Sequence, residues 1–149
     1  MSNIPGSAQI LDPNGEPYGP LNPFPVSLVS TDQLVTVTVP AGTVVGDVLY
    51  FTGVADVCAR ALATGLATMP ARAMVEVLLS STSAQVRLGG KSQALAGLTP
   101  GASYFVSKTT PGKLVTSLGA FVPGDVAQLV GQAIDAVTLD LCFWPPVPL

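Results

Sequence analysis

The chain has 149 residues, enough for one domain with a real hydrophobic core. Apolar residues make up 48% and charged residues 10%, against about 25% charged in an ordinary soluble domain, so a largely disordered chain is excluded. The net charge is −3, the six Lys and Arg are scattered, and histidine is absent. That gives no basic stripe for nucleic acid. It also removes the commonest general base and the commonest metal ligand.

Residues 1–29 differ from the rest. Six of the fourteen prolines lie here (Pro5, Pro13, Pro17, Pro20, Pro23, Pro25), and Asp12-Pro-Asn-Gly and Tyr18-Gly-Pro are turn signals. Proline removes backbone donors and favours extended chain. Ile10, Leu11, Tyr18, Leu21, Phe24 and Val26 space apolar anchors between those prolines. The pattern predicts an extended N-terminal arm that docks on a partner and orders on assembly. The first residues, Met-Ser-Asn-Ile-Pro-Gly-Ser, lack the basic and apolar regions of a secretory signal. No apolar run approaches a membrane span. Synthesis in a cytosol is therefore expected, with Cys58 and Cys142 reduced and packed as small hydrophobes. Spacing alone leaves a disulfide between them open.

Residues 30–142 read as a β domain. Val35, Val37 and Val39 alternate with Thr36 and Thr38, a period of two. Pro40-Ala-Gly and Gly46-Asp are turns on either side of Val44-Val45, and Val48 to Phe51 is a strand. Ala59 to Met69 is alanine-rich and helix-permissive, but Gly65 and Pro70 interrupt it. A strand or loop followed by a short helical turn over Thr64–Met69 is expected. Ala73–Leu79, a Ser80-Ser-Thr-Ser turn and Ala84–Leu88 form a hairpin that ends at Gly89-Gly90. Lys91–Leu98 leads into Thr99-Pro-Gly, a type I or II turn. Tyr104-Phe-Val, Thr110-Pro-Gly and Leu114-Val-Thr form a second hairpin. Phe121-Val-Pro-Gly-Asp is a loop. Gln128–Ile134 and Val137–Leu141 form the last hairpin. The Pro-rich tail, residues 143–149, cannot continue a central strand. Short strands punctuated every 8–12 residues or so indicate a small antiparallel barrel or sandwich with at most one short helix.

Nothing in this pattern carries catalytic chemistry. Ser107-Lys108 are neighbours that point to opposite faces of a strand. The nine carboxylates fall mostly in turns, where Asp is a routine turn former. Gly89-Gly-Lys lacks the wider phosphate-loop spacing. The expectation is a protein with no catalytic, cofactor or metal site. What remains is adhesive: Pro23-Phe-Pro-Val and Phe143-Trp-Pro-Pro present side chains on extended backbone. Phe143 and Trp144 join the six arm residues as candidate partner contacts, and a core-capping role for Trp144 stays open.

Pro40 to Leu141 carries a recurring wording. It includes Ala67-Thr-Met-Pro-Ala, Gly97-Leu-Thr-Pro-Gly-Ala-Ser-Tyr-Phe-Val-Ser, Pro111-Gly-Lys-Leu and Val130-Gly-Gln-Ala-Ile-Asp-Ala-Val-Thr-Leu. In this the chain resembles the capsid decoration (cement) proteins of tailed bacteriophages and the related β modules of head and tail fibres. The resemblance implies a virion structural protein on the capsid surface. It would bind and stabilise the lattice of the major capsid protein, self-associate as a homotrimer, and touch neither nucleic acid nor membrane. The alternative it leaves is a head-fibre or tail-fibre component that acts as adaptor or host-receptor binder.

Overall fold

A computed structural model describes residues 33–149; the predicted arm, residues 1–29, lies outside them. The described chain is all-β, with antiparallel sheets and a single 3₁₀ turn, Leu66–Thr68. The strands are β1 (Leu34–Thr38), β2 (Val48–Phe51), β3 (Cys58–Arg60), β4 (Ala73–Leu78), β5 (Ser83–Arg87), β6 (Gly90–Ser92), β7 (Ser103–Val106), β8 (Leu114–Val115), β9 (Val126–Ala127), β10 (Leu129–Asp135), β11 (Thr138–Leu141) and β12 (Val147–Pro148).

The first sheet runs β1-β5-β4-β2-β3. Its register, Val37 opposite Ala84 and Val75 opposite Val86, puts both side chains of each pair on the same face. That face folds onto itself. Val37, Val39, Leu49, Cys58, Ala73, Val75, Ala84 and Val86 form one buried cluster. The two sheet edges then meet, where Thr38 bridges Val57 in parallel and the Thr38 N–H donates to the Asp56 carbonyl at 2.7 Å. An odd number of antiparallel strands can close only through a parallel contact, so the sheet is a five-stranded barrel. Closure removes the exposed edges that an open sheet would leave.

The second sheet, β6-β11-β10-β7-β8, packs against the outside of the barrel. Alternation divides each barrel strand between two cores. On β2, Val48 faces the second sheet and Leu49 the barrel interior; on β4, Met74 faces the second sheet between inward Ala73 and Val75. Tyr104, Val106, Val130, Leu139 and Leu141 meet Val48 and Met74 from the other side. Ala61, Ala63 and Ala71 are fully buried in this layer. The alanine-rich stretch forms no α-helix: β3 leads through a turn at residues 63–65 into the one 3₁₀ turn. Its small side chains let the linker lie between two sheets, and that packing overrides alanine's helix preference.

The Pro-Gly corners set the connections. In Thr99-Pro-Gly-Ala and Thr110-Pro-Gly-Lys the fourth residue's N–H donates to the first residue's carbonyl, at 3.0 and 3.2 Å. The glycines sit at φ +80° and +79°. Proline at the second position and positive φ at the third define type II turns, which settles the choice the sequence left open. Asp47 ties the two sheets together. Its carboxylate, 1% exposed, accepts the Val44 N–H and pairs with Lys113 from the second Pro-Gly corner. Cys58 and Cys142 are both free thiols. Cys58 is buried as expected, and burial, reinforced by Asp56, pushes its thiol up to about 11. Cys142 departs from expectation and is exposed. Leu139 and Leu141 take the inward positions of β11, so Asp140 and Cys142 fall on the outer side.

Candidate interaction surface

The chain's last segment lies along residues 122–129 as a ribbon. β12 pairs with β9, Val147 opposite Ala127 and Pro148 opposite Val126. The Leu149 N–H donates to the Asp125 carbonyl at 2.9 Å, the Gly124 N–H to the Leu149 carbonyl at 3.0 Å, and the Trp144 N–H to the Leu129 carbonyl at 2.9 Å. β12 pairs on one side only, where Pro148's missing N–H costs nothing. The tail thus folds onto the domain as an edge, consistent with its exclusion from a central strand.

Two polar devices hold this ribbon. Gln128, 1% exposed, accepts the Ala71 N–H at 2.7 Å and donates to the Ala71 carbonyl at 2.8 Å and the Trp144 carbonyl at 2.9 Å. One buried amide therefore joins the linker before β4, the strand entry at β10 and the tail. Asp125 caps its own turn: its carboxylate accepts the Val122 N–H at 2.8 Å and pairs with Lys108 at 3.0 Å. The Val122 N–H and the Lys108 ammonium hold the Asp125 carboxyl below the ordinary carboxylate range. Lys108 also lies over the Phe121 ring, 5.9 Å from its centroid.

This polar scaffold presents an apolar exterior. Trp144 is 59% exposed, Val147 56%, Val122 53% and Leu149 50%. Four large apolar side chains, each at least half exposed, are borne by this ribbon and the loop that leads into it. Such a surface gains free energy when a partner covers it. Trp144 lies outside the core, so the core-capping alternative does not hold. Phe143 behaves differently: it is half-buried and packs against the core cluster, with φ at +34°. Ile10, Leu11, Tyr18, Leu21, Phe24 and Val26 lie outside the described residues. Val122, Val147 and Leu149 escaped sequence reading, because one apolar residue in a Pro-Gly loop and two in a Pro-rich tail carry no periodicity. The pairing of tail with loop is what unites them.

Among the described residues no three of His, Cys, Asp and Glu cluster as metal ligands, and no helix is long and apolar enough to cross a membrane. Ser107 and Lys108 follow β7 and lie on no strand, and their side chains take separate partners. The Ser107 hydroxyl accepts the Thr109 and Thr110 N–H groups at 3.1 Å each, while Lys108 turns to Asp125. Compared with protein-family models, with curated proteins and with solved structures, the chain shows no significant match.

Proposed function

We propose that this protein is a virion structural protein of a tailed bacteriophage, a decoration protein that binds and stabilises the major capsid lattice. The observation that supports this most is the Trp144–Val147–Leu149–Val122 ribbon, an apolar surface on a rigid, hydrogen-bonded frame. Interfaces are enriched in such aromatic anchors and depleted in charge at their centres. A chain with only 10% charged residues suits a surface covered by other subunits. In this reading the barrel is the body of a trimer, the ribbon and the N-terminal arm are its contacts, and the protein acts by adhesion without chemistry.

The test is rebinding of the protein to capsids stripped of it. Trp144→Ser with Val147→Ser removes two exposed side chains and leaves the backbone pairing of the tail in place. Binding is expected to fall at least about thirtyfold, from the loss of one aromatic and one aliphatic anchor at roughly 1–2 kcal/mol or more each. Undiminished rebinding by the folded double variant contradicts the ribbon's role. Particles that release DNA on heating at the same temperature with and without the protein contradict cementing.

A further inference from the structure

A second feature shares no residue with the ribbon. There the barrel wall and the second sheet part to leave an open cleft of about 410 Å³, inside the span of roughly 300–1,000 Å³ usual for small-ligand sites. Its floor is polar and fixed. Arg87 of β5 donates to Glu76 of β4 at 2.8 Å, with side chains 14% and 15% exposed, beside the buried Thr138 of β11. Lys91 and Gln93, from β6 and its exit, also line it. So do Ile134 and Asp135, from the tip of the β10–β11 hairpin.

The charges in this cleft are balanced and mostly engaged. Arg87 and Lys91 stand against Glu76 and Asp135. Glu76 and Arg87 hold each other, and Asp135 accepts the Val137 N–H of its own turn at 2.9 Å. Val137 and Thr138 keep the Asp135 carboxyl below the ordinary range. The four formal charges sum to zero, so the cleft as a whole selects neither anions nor cations. A neutral ligand dense in hydroxyls is served better. It finds donors in the Lys91 ammonium and Gln93 amide, and acceptors in the Gln93 carbonyl and the Asp135 carboxylate, all of which line the cleft. Ile134, 49% exposed, adds an apolar strip for the C–H edge of a ring. Charged floor, mixed walls and one aliphatic contact form a polar site with a single apolar platform.

We propose that this cleft binds a neutral saccharide, one or two hexose units in size. Lys91, Gln93 and Asp135 hold its hydroxyls, and Ile134 packs under its ring. The proposal is independent of the virion reading: either can fail alone.

The experiment is titration of the full ¹⁵N-labelled chain with D-glucose, D-galactose and N-acetyl-D-glucosamine, each to about 50 mM because small polar sites bind in the millimolar range. The amide spectrum is followed throughout. At least one sugar is expected to give saturable shifts confined to Lys91, Gln93, Ile134, Asp135 and their neighbours. Lys91→Ala with Gln93→Ala, both exposed positions, should weaken that sugar about tenfold or more, the size of two lost hydrogen bonds. Ile134→Ala carries the same test if the double variant loses its dispersed spectrum. Absence of saturable shifts with all three sugars overturns the proposal. So do shifts mapping elsewhere, full binding by the folded variants, or saturation of these amides by glycine or sodium phosphate but not by the sugars.

Discussion

Replacing Gln128 with Leu isolates the buried amide that joins three segments. The two side chains are close in volume, so the change opens no large cavity and its cost lies in hydrogen bonding. Three partners lose their bond: the Ala71 N–H, the Ala71 carbonyl and the Trp144 carbonyl. Ala71 is fully buried and Gln128 is 1% exposed, so water cannot replace the first two. Each orphaned buried group costs about 1–3 kcal/mol, and the part-buried Trp144 carbonyl less. The greater apolarity of Leu returns part of this, leaving a net loss of about 3 kcal/mol. For a domain of this size that is a fall in Tm of about 6–12 °C. Urea unfolding followed by Trp144 fluorescence and by circular dichroism measures it. The tail should also loosen first, seen as faster amide exchange at Trp144 and Leu149 than in the parent. A loss below about 1 kcal/mol, or unchanged exchange in the tail, refutes the assignment of Gln128 as the clamp.

Four further outcomes follow from the same contacts. Gly131→Ala on β10 drives a methyl into the Asp140 carbonyl across the β10–β11 pair; a loss of several kcal/mol, about 3 or more, or failure to fold is expected in a denaturation series. Asp125 and Asp135 both have carboxyls held below the ordinary range by backbone N–H groups, with Lys108 adding to the effect at Asp125. Their contribution is therefore present above the unfolded Asp pKa of about 3.9 and lost as pH falls through the lower folded values. Asp125→Asn should flatten the acid limb of the stability–pH curve relative to the parent. Thiol labelling near pH 8 should modify one cysteine in the native protein, the exposed Cys142, and both after denaturation, because Cys58 is buried with its thiol pushed up to about 11. Deleting residues 1–29 should leave a chain with the parent's β circular dichroism and cooperative unfolding but weaken attachment to particles. Loss of the fold, or full attachment without those residues, contradicts the arm's assigned role.

Much of the β framework is legible in the residues. The alternation of Val35, Val37 and Val39, the hairpin over Ala73–Leu88, the Thr99-Pro-Gly and Thr110-Pro-Gly corners and the last hairpin place β1, β4, β5, β7, β8, β10 and β11 where the pattern puts them. Local chemistry suffices there, since a Pro-Gly corner specifies its own turn. Three elements escape because nothing local marks them. β6, Gly90-Lys-Ser, begins at a glycine that reads as a stop, and it becomes a strand only by pairing with Asp140 and its neighbours on β11. β9 and β12 are two residues each and exist through each other. Closure of the first sheet is likewise non-local, resting on Thr38 meeting residues 56–57. The candidate site divides the same way. Trp144 is conspicuous as the single tryptophan beside two prolines, but its apolar neighbours and its Gln128 clamp come from segments that only the fold brings together.

The most direct test of the proposed role is a side-chain-resolution reconstruction of virions that carry this chain. Many copies on the shell, arranged as trimers with Trp144, Val147 and Leu149 against a neighbouring subunit, are expected. A few copies at a fibre or tail, or a shell density in which that ribbon faces solvent, would contradict the decoration assignment.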